Sequence, residues 1–204
     1  MKKFLFSALL CIVSVVAVNA KTFVFPVKNY TTPVRHGFLD EQKINLVLFD
    51  ARSLPKNAKI EYSSEELLKE VSNLIVNTYP NAEINVLPSN MYYKAAKDSI
   101  ITIRIAINGY HAAFGAEINV GLGSIGGNSS YDFSTRGEWN GVTAYNISID
   151  DKRGTEPLKY KDNVSGTDSA PNMGGYNSAR KCLTNSFIQA TDKLFSFIDS
   201  VFME

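Results

Sequence analysis

The sequence predicts an α+β fold: a two-layer sandwich made of a β-α-β unit, a four-strand antiparallel meander and a long C-terminal helix packed on the same sheet face. Three observations carry this. Short segments of β-favouring apolar residues alternate with polar ones or run together, as strands do. Two segments instead place apolar residues three and four apart, the spacing of a helix with one buried side. The pair Asn-Gly occurs twice between β-patterned segments, at Asn108-Gly109 and Asn140-Gly141, where it suits hairpin turns because both residues tolerate φ > 0.

The first twenty residues, MKKFLFSALLCIVSVVAVNA, carry two lysines, an apolar run and a Val18-Asn19-Ala20 end, the pattern of a secretory signal cleaved after Ala20. The two-lysine start has a bacterial look. Cys11 lies in mid-run behind Leu9 and Leu10, so it does not read as a lipid-modified cysteine. The expected product, residues 21–204, is a single domain that is periplasmic or secreted. Without Lys2 and Lys3 it holds nineteen basic against twenty acidic side chains, a net charge of −1. That balance argues against a nucleic-acid partner and against docking on an anionic membrane. No later stretch reaches the ~18 apolar residues of a spanning helix. Cys182 is then the one remaining cysteine, which excludes an internal disulfide and, within an apolar helical stripe, suggests a buried inert thiol.

Taken in order, residues 21–42 read as a short edge strand or extended arm around Pro26, since proline cannot donate to a central ladder. Ile44 to Asp50, INLVLFD, reads as a buried strand. Ser63 and Glu66 form a capping box for a helix from about Ser64 to Asn77, which must stop before Pro80. Ala82 to Leu87 closes the β-α-β unit, with a right-handed crossover if its strands are parallel. Ser99 to Leu122 reads as a hairpin turning at Asn108-Gly109. Ile101, Ile103, Ile105 and Ile107 would share its apolar face with Tyr110, Ala112, Phe114 and Ala116, and Thr102, Arg104, Asn108, Glu117 and Asn119 its wet face. Gly121 to Ser130 reads as a glycine-rich loop. Tyr131 to Trp139 and Val142 to Asp150 form a second hairpin, whose register requires a three-residue loop with a bulge at Gly141. Residues 152–176 read as a long polar connection holding a short strand near Leu158, Tyr160 and Val164, the first place to seek a functional surface or disorder. Asn177 to about Phe202 is the closing helix, with Cys182, Leu183, Phe187, Ala190, Leu194, Phe197, Ile198 and Val201 on one side.

The chemistry-bearing residues single out no catalytic, metal or cofactor set. Gly121 to Gly126 matches G-x-G-x-x-G by count, but a strand follows it where a dinucleotide site needs a helix. His36 and His111 have no partner at metal-ligand spacing, and His111 reads as a solvated ring beside a turn. Asp150 and Asp151, with Lys152 and Arg153, read as a charged strand end. Residues 162–168, Asp162 to Asp168, are oxygen-rich but lack the ligand order of a calcium loop. Asn29, Asn128, Asn146 and Asn163 stand in Asn-x-Ser/Thr sequons, of which Asn146 would lie within a strand. The alternation through Phe114, Ala116, Ile118, Val120 and Leu122 fits a core-facing strand under the C-terminal helix; the competing reading is a hairpin entering a membrane or an oligomeric barrel.

INLVLFD, the Ser63-capped helix, the strand Val142 to Asp150 with DDKRG, and the closing run NMGGYNSARKCLTNSFIQATDKLFSFID together resemble the small β-α-β-β-β-α periplasmic proteins and lipoproteins that assist bacterial envelope assembly or transport. The chain departs from the lipoproteins in lacking a lipobox cysteine. The resemblance implies a non-enzymatic accessory role with an envelope protein partner, and it supplies no catalytic residues. The expected function is therefore a binding or assembly module acting through a sheet edge, the glycine-rich tip or the long polar segment. The alternatives are a small-ligand or glycan-binding module using Trp139, Tyr131 and Tyr145 as aromatic platforms, and a hydrolase.

Overall fold

The computed structural model describes residues 21–27, 30–94, 101–115, 118–124, 127–133 and 137–203, without side chains for 118–133. The elements follow the chain as β1 (Thr22–Val24), β2 (Lys43–Asp50), β3 (Lys59–Ile60), α1 (Ser64–Thr78), β4 (Glu83–Leu87), a 3-10 turn (Ser89–Met91), β5 (Ile101–Phe114), β6 (Ile118–Ser124), β7 (Gly127–Phe133), β8 (Glu138–Asp151), β9 (Leu158–Pro171) and α2 (Tyr176–Phe202). The proposed signal segment lies outside the described residues.

The fold is α+β, with one mixed seven-stranded sheet and a separate two-stranded ribbon, β6 with β7. β5 is the spine of the sheet. Along one edge it pairs with β8 over nearly its whole length, and β8 pairs in turn with β9, all antiparallel. Along the other edge it pairs first with β2, in parallel from Ile44↔Ile101 to Asp50↔Ile107, then with β1 at Phe23↔Ala112. β4 pairs in parallel with β2, as the β-α-β reading expects. Ser63 caps α1 as predicted: its hydroxyl accepts from the Glu66 amide, and the Glu66 carboxylate accepts from the Ser63 amide at 2.8 Å.

α1 packs on β2, and α2 lies across β5, β8 and β9. The core between sheet and helices joins Ile44, Leu46 and Leu48 to Ile101, Ile103, Ile105 and Ile107, then to Leu67, Ile75, Phe187 and Leu194. Each large apolar side chain buried there contributes ~1.5–3 kcal/mol. The two helices meet through the Tyr79 and Phe195 rings, 5.8 Å apart, and through Asp199, which accepts from the Tyr79 hydroxyl at 2.7 Å and pairs with Arg35. No helix among the described residues is long and apolar enough to cross a membrane.

Four local expectations are corrected. Asn108-Gly109 is not a turn: β5 runs straight through it with a bulge between Ile107 and Gly109. The extra residue puts Ile107 and Tyr110 on the same face, so the apolar row continues past the bulge. Asn140-Gly141 is not a loop either, since both residues lie within β8. Here the reason is tertiary. A Cβ at Gly141 would stand 2.3 Å from the Cys182 carbonyl, so the α2 backbone rests on this residue. The glycine-rich stretch belongs largely to the β6–β7 ribbon, paired from Ile118↔Phe133 to Ser124↔Gly127, rather than to a loop. It also stands outside the main sheet, so β6 does not continue β5 beneath α2 as expected. Lastly, the polar connection is mostly β9, a strand of 14 residues.

The face opposite the helices is not simply wet. β4 and β5 flank β2 and run parallel to it, so the connection between them crosses β2 on that side. On this face Thr102 and Arg104 are both buried. Arg104 donates to the Lys94 carbonyl at 3.1 Å and pairs with Asp150, while Phe49 stacks on Tyr92 at 5.3 Å.

Candidate functional site

The longest unsatisfied feature among the described residues is the outer edge of β9, which pairs with β8 and with no other strand. Alternate residues of β9 serve different surroundings. Val164 and Gly166 lie buried on the α2 side, where a Cβ at Gly166 would fall 2.0 Å from the Ser186 carbonyl oxygen. On that side Asn185 donates to Asp168 at 3.0 Å. The opposite row begins with Lys159, 3.4 Å from Asp150, and Lys161, and includes Ser169, whose hydroxyl donates to Asn140 at 2.6 Å. Lys193 of α2 donates to the Ser165 carbonyl at 2.7 Å. The strand is thus held in place from one side and from beneath. Its open side offers what an edge strand offers: a ladder of main-chain donors and acceptors for another extended chain.

A second polar cluster sits where β2 ends beside the β5 bulge. Between Ile107 and Ala112 neither β2 nor β1 pairs with β5, and Arg52 fills this notch with a side chain only 4% exposed. Its Nε and Nη2 donate to Asp50 at 2.8 and 2.7 Å, and its guanidinium stands 6.0 Å from the centre of the Tyr110 ring. Burial works against ionisation of Asp50, but hydrogen bonds from Arg52 and Ser64 outweigh it and hold the carboxyl below its ordinary range. Burial, reinforced by the Arg52 charge, pushes His111 down to about 4. The cluster is neutral in sum but not fully satisfied: Asp50 is engaged by Arg52, while Arg52 Nη1 and His111 Nδ1 are buried without a hydrogen-bond partner.

The residues singled out from sequence do not converge. Trp139 and Tyr145 are not ligand platforms: both lie on the α2 side of β8 and are buried. Trp139 donates to Asn172 at 2.9 Å, and the Tyr145 hydroxyl meets Thr191 at 3.3 Å. The Tyr131 side chain lies outside the described residues. His111 is not a solvated ring beside a turn but part of β5, with its Nδ1 buried and unpartnered. His36 Nδ1 meets the Asn81 amide at 3.3 Å. Cys182 is buried as expected, and burial, with Asp168 adding to it, pushes its thiol up to about 11. Asp151 pairs with Arg153 at 2.7 Å, the charged strand end the sequence predicts. Residues 162–168 are extended strand and do not wrap a cation. Gly121 and Gly123 lie in β6, which leads into β7 and not into a helix. Asn146 and Asn163 lie within β8 and β9, Asn128 lies in β7, and Asn29 is outside the described residues.

Sequence reasoning missed the Asp50–Arg52 fork, the buried Arg104–Asp150 pair, and an aromatic group in which Tyr93, 80% exposed, stands edge-on to Phe49 and Tyr92. The adjacent Tyr92 and Tyr93 were the one local signal for the last of these.

No protein-family model matches the chain, and no curated protein matches it. Among solved structures, the chain is similar to a hypothetical protein from Chlamydia trachomatis, at 9% identity and a TM-score of 0.41 over 78% of this chain and 93% of that one. It is also similar to a proposed neuraminyllactose-binding hemagglutinin homolog from Helicobacter pylori, at 9% identity and a TM-score of 0.41, covering 87% of this chain and 95% of that one. An uncharacterized protein aligns at 12% identity with a TM-score of 0.34, over 83% and 96% of the two chains.

Proposed function

We propose that this chain is a periplasmic or secreted, non-enzymatic binding protein of the bacterial envelope that captures an extended segment of a partner along β9. The signal-like first twenty residues support the compartment. The observation that carries the binding reading is the one-sided pairing, among the described residues, of a strand of 14 residues.

The charge pattern narrows the partner. Lys159 and Lys161 occupy one row of β9 and Asp162 and Asp168 the other. Antiparallel pairing sets residues of the same row opposite each other, so two copies of β9 continuing one sheet never place a lysine opposite an aspartate. Self-pairing gains nothing, whereas a strand with acidic residues opposite Lys159 and Lys161 is selected.

The test places photo-crosslinking side chains at Asn163 and Thr167 in the native host, with Gly154 in the β8–β9 loop as control. Adducts to one envelope protein from the β9 positions, lost when Lys159 and Lys161 are both changed to Glu, are the expected result. Equal adducts from Gly154, none from β9, or a chain retained in the cytoplasm with its first twenty residues intact would overturn the reading.

A further inference from the structure

We propose that the β6–β7 ribbon is a self-association element, in which the outer edge of β6 in one copy pairs with the outer edge of β7 in the next. Among the described residues β6 and β7 pair with each other alone. A two-stranded ribbon is marginal in water by itself and leaves both outer edges unpaired.

The register sorts its residues into two rows. Ile118 stands opposite Phe133, Val120 opposite Tyr131 and Leu122 opposite Ser129, which gathers the apolar residues into one row. Asn119 with Asp132, Gly121 with Ser130 and Gly123 with Asn128 make a row of small or polar residues. Any antiparallel pairing of β6 with a neighbouring β7 that keeps apolar against apolar reproduces the chemistry already present within one copy.

Nothing in the ribbon opposes such pairing. Asp132 is the sole charged residue from Ile118 to Phe133, and no proline interrupts either strand. β9, by contrast, carries Lys159, Lys161 and Pro171, the residues that guard an edge against indiscriminate pairing. With no lysine or arginine the ribbon also lacks the electrostatic attraction that draws basic segments to an anionic membrane. Because the two joined edges differ, association is head-to-tail and ends when a ring closes. About eight strands, hence roughly four copies, suffice to close such a ring into a barrel.

Cys182 is buried, so introduced cysteines report alone. The secreted full chain is prepared separately as Val120→Cys and as Tyr131→Cys, mixed, and oxidised in buffer without lipid or detergent. Mixed disulfides in excess over those of either variant alone are expected, together with a light-scattering mass of several copies for the unmodified chain. A Val120→Lys, Tyr131→Lys chain, which sets like charges opposite each other at the joined edges, should lose the oligomer while keeping the far-UV spectrum of the sheet. A monomer at all concentrations, an oligomer indifferent to these substitutions, or association only on phosphatidylcholine–phosphatidylglycerol vesicles would overturn the proposal. None of these outcomes touches β9, so the two proposals fail separately.

Discussion

The dipeptide Asn-Gly appears twice in this chain, and in both places local chemistry asks for a turn that the fold refuses. Neither Gly109 nor Gly141 has a positive φ, so the property that makes Asn-Gly a turn former is unused at both. The two glycines nonetheless differ. Gly109 sits at a bulge that realigns β5 beside the Arg52 notch, and an added Cβ would meet Val142 at 3.3 Å. Gly141 sits under a helix, with the Cys182 backbone where its Cβ would be. A glycine within a strand thus marks a close backbone approach in one case and a local change of pleat in the other.

Substitution separates them, beginning with the largest effect. Gly141→Ala should destabilise at or beyond the upper end of the ~1–3 kcal/mol typical of overpacking, because the clash is with helix backbone. Gly166→Ala should behave alike, for the same reason, and urea titration would measure both. A loss below ~1 kcal/mol would mean that α2 can lift from the sheet without cost.

The notch beside Gly109 should show itself through pH. His111 ionises at about 4 when folded against an ordinary 6.5, so between these values the unfolded chain takes up the proton and the folded one does not. Stability therefore falls as pH falls through that window, by at most ~3 kcal/mol from this residue. His111→Gln should flatten that part of a Tm-against-pH curve, and an unchanged slope would place its origin elsewhere. Smallest of all, Gly109→Ala should stay within ~1 kcal/mol of the parent, since strain against Val142 is offset by reduced freedom of the unfolded chain.

What was legible in the sequence follows the range of the forces involved. The capping box, the β2 run and both helices rest on contacts within a few residues, and they stand nearly where the periodicity put them. β9 was hidden because its residues, DNVSGTDS among them, have low strand propensity; pairing with β8 and cover from α2 supply what propensity does not. The site was less legible than the fold. An open edge is a property of which strand comes last in a sheet, and no single residue of β9 announces it. The register expected for Trp139 and Tyr145 puts them on one face, and they share one; that α2 covers this face is a matter of tertiary packing, which no local pattern reports.

The final helix has a consequence for how the protein is made. Residues 176–202 provide the cover for β8 and β9, and Asp199, one turn from the end of α2, joins Tyr79 and Arg35 from the first half of the chain. A chain that has not yet delivered residues 176–202 lacks that cover and that tie. The native core cannot close before that helix docks, so the faces of β8 and β9 it covers stay open to proteases until then.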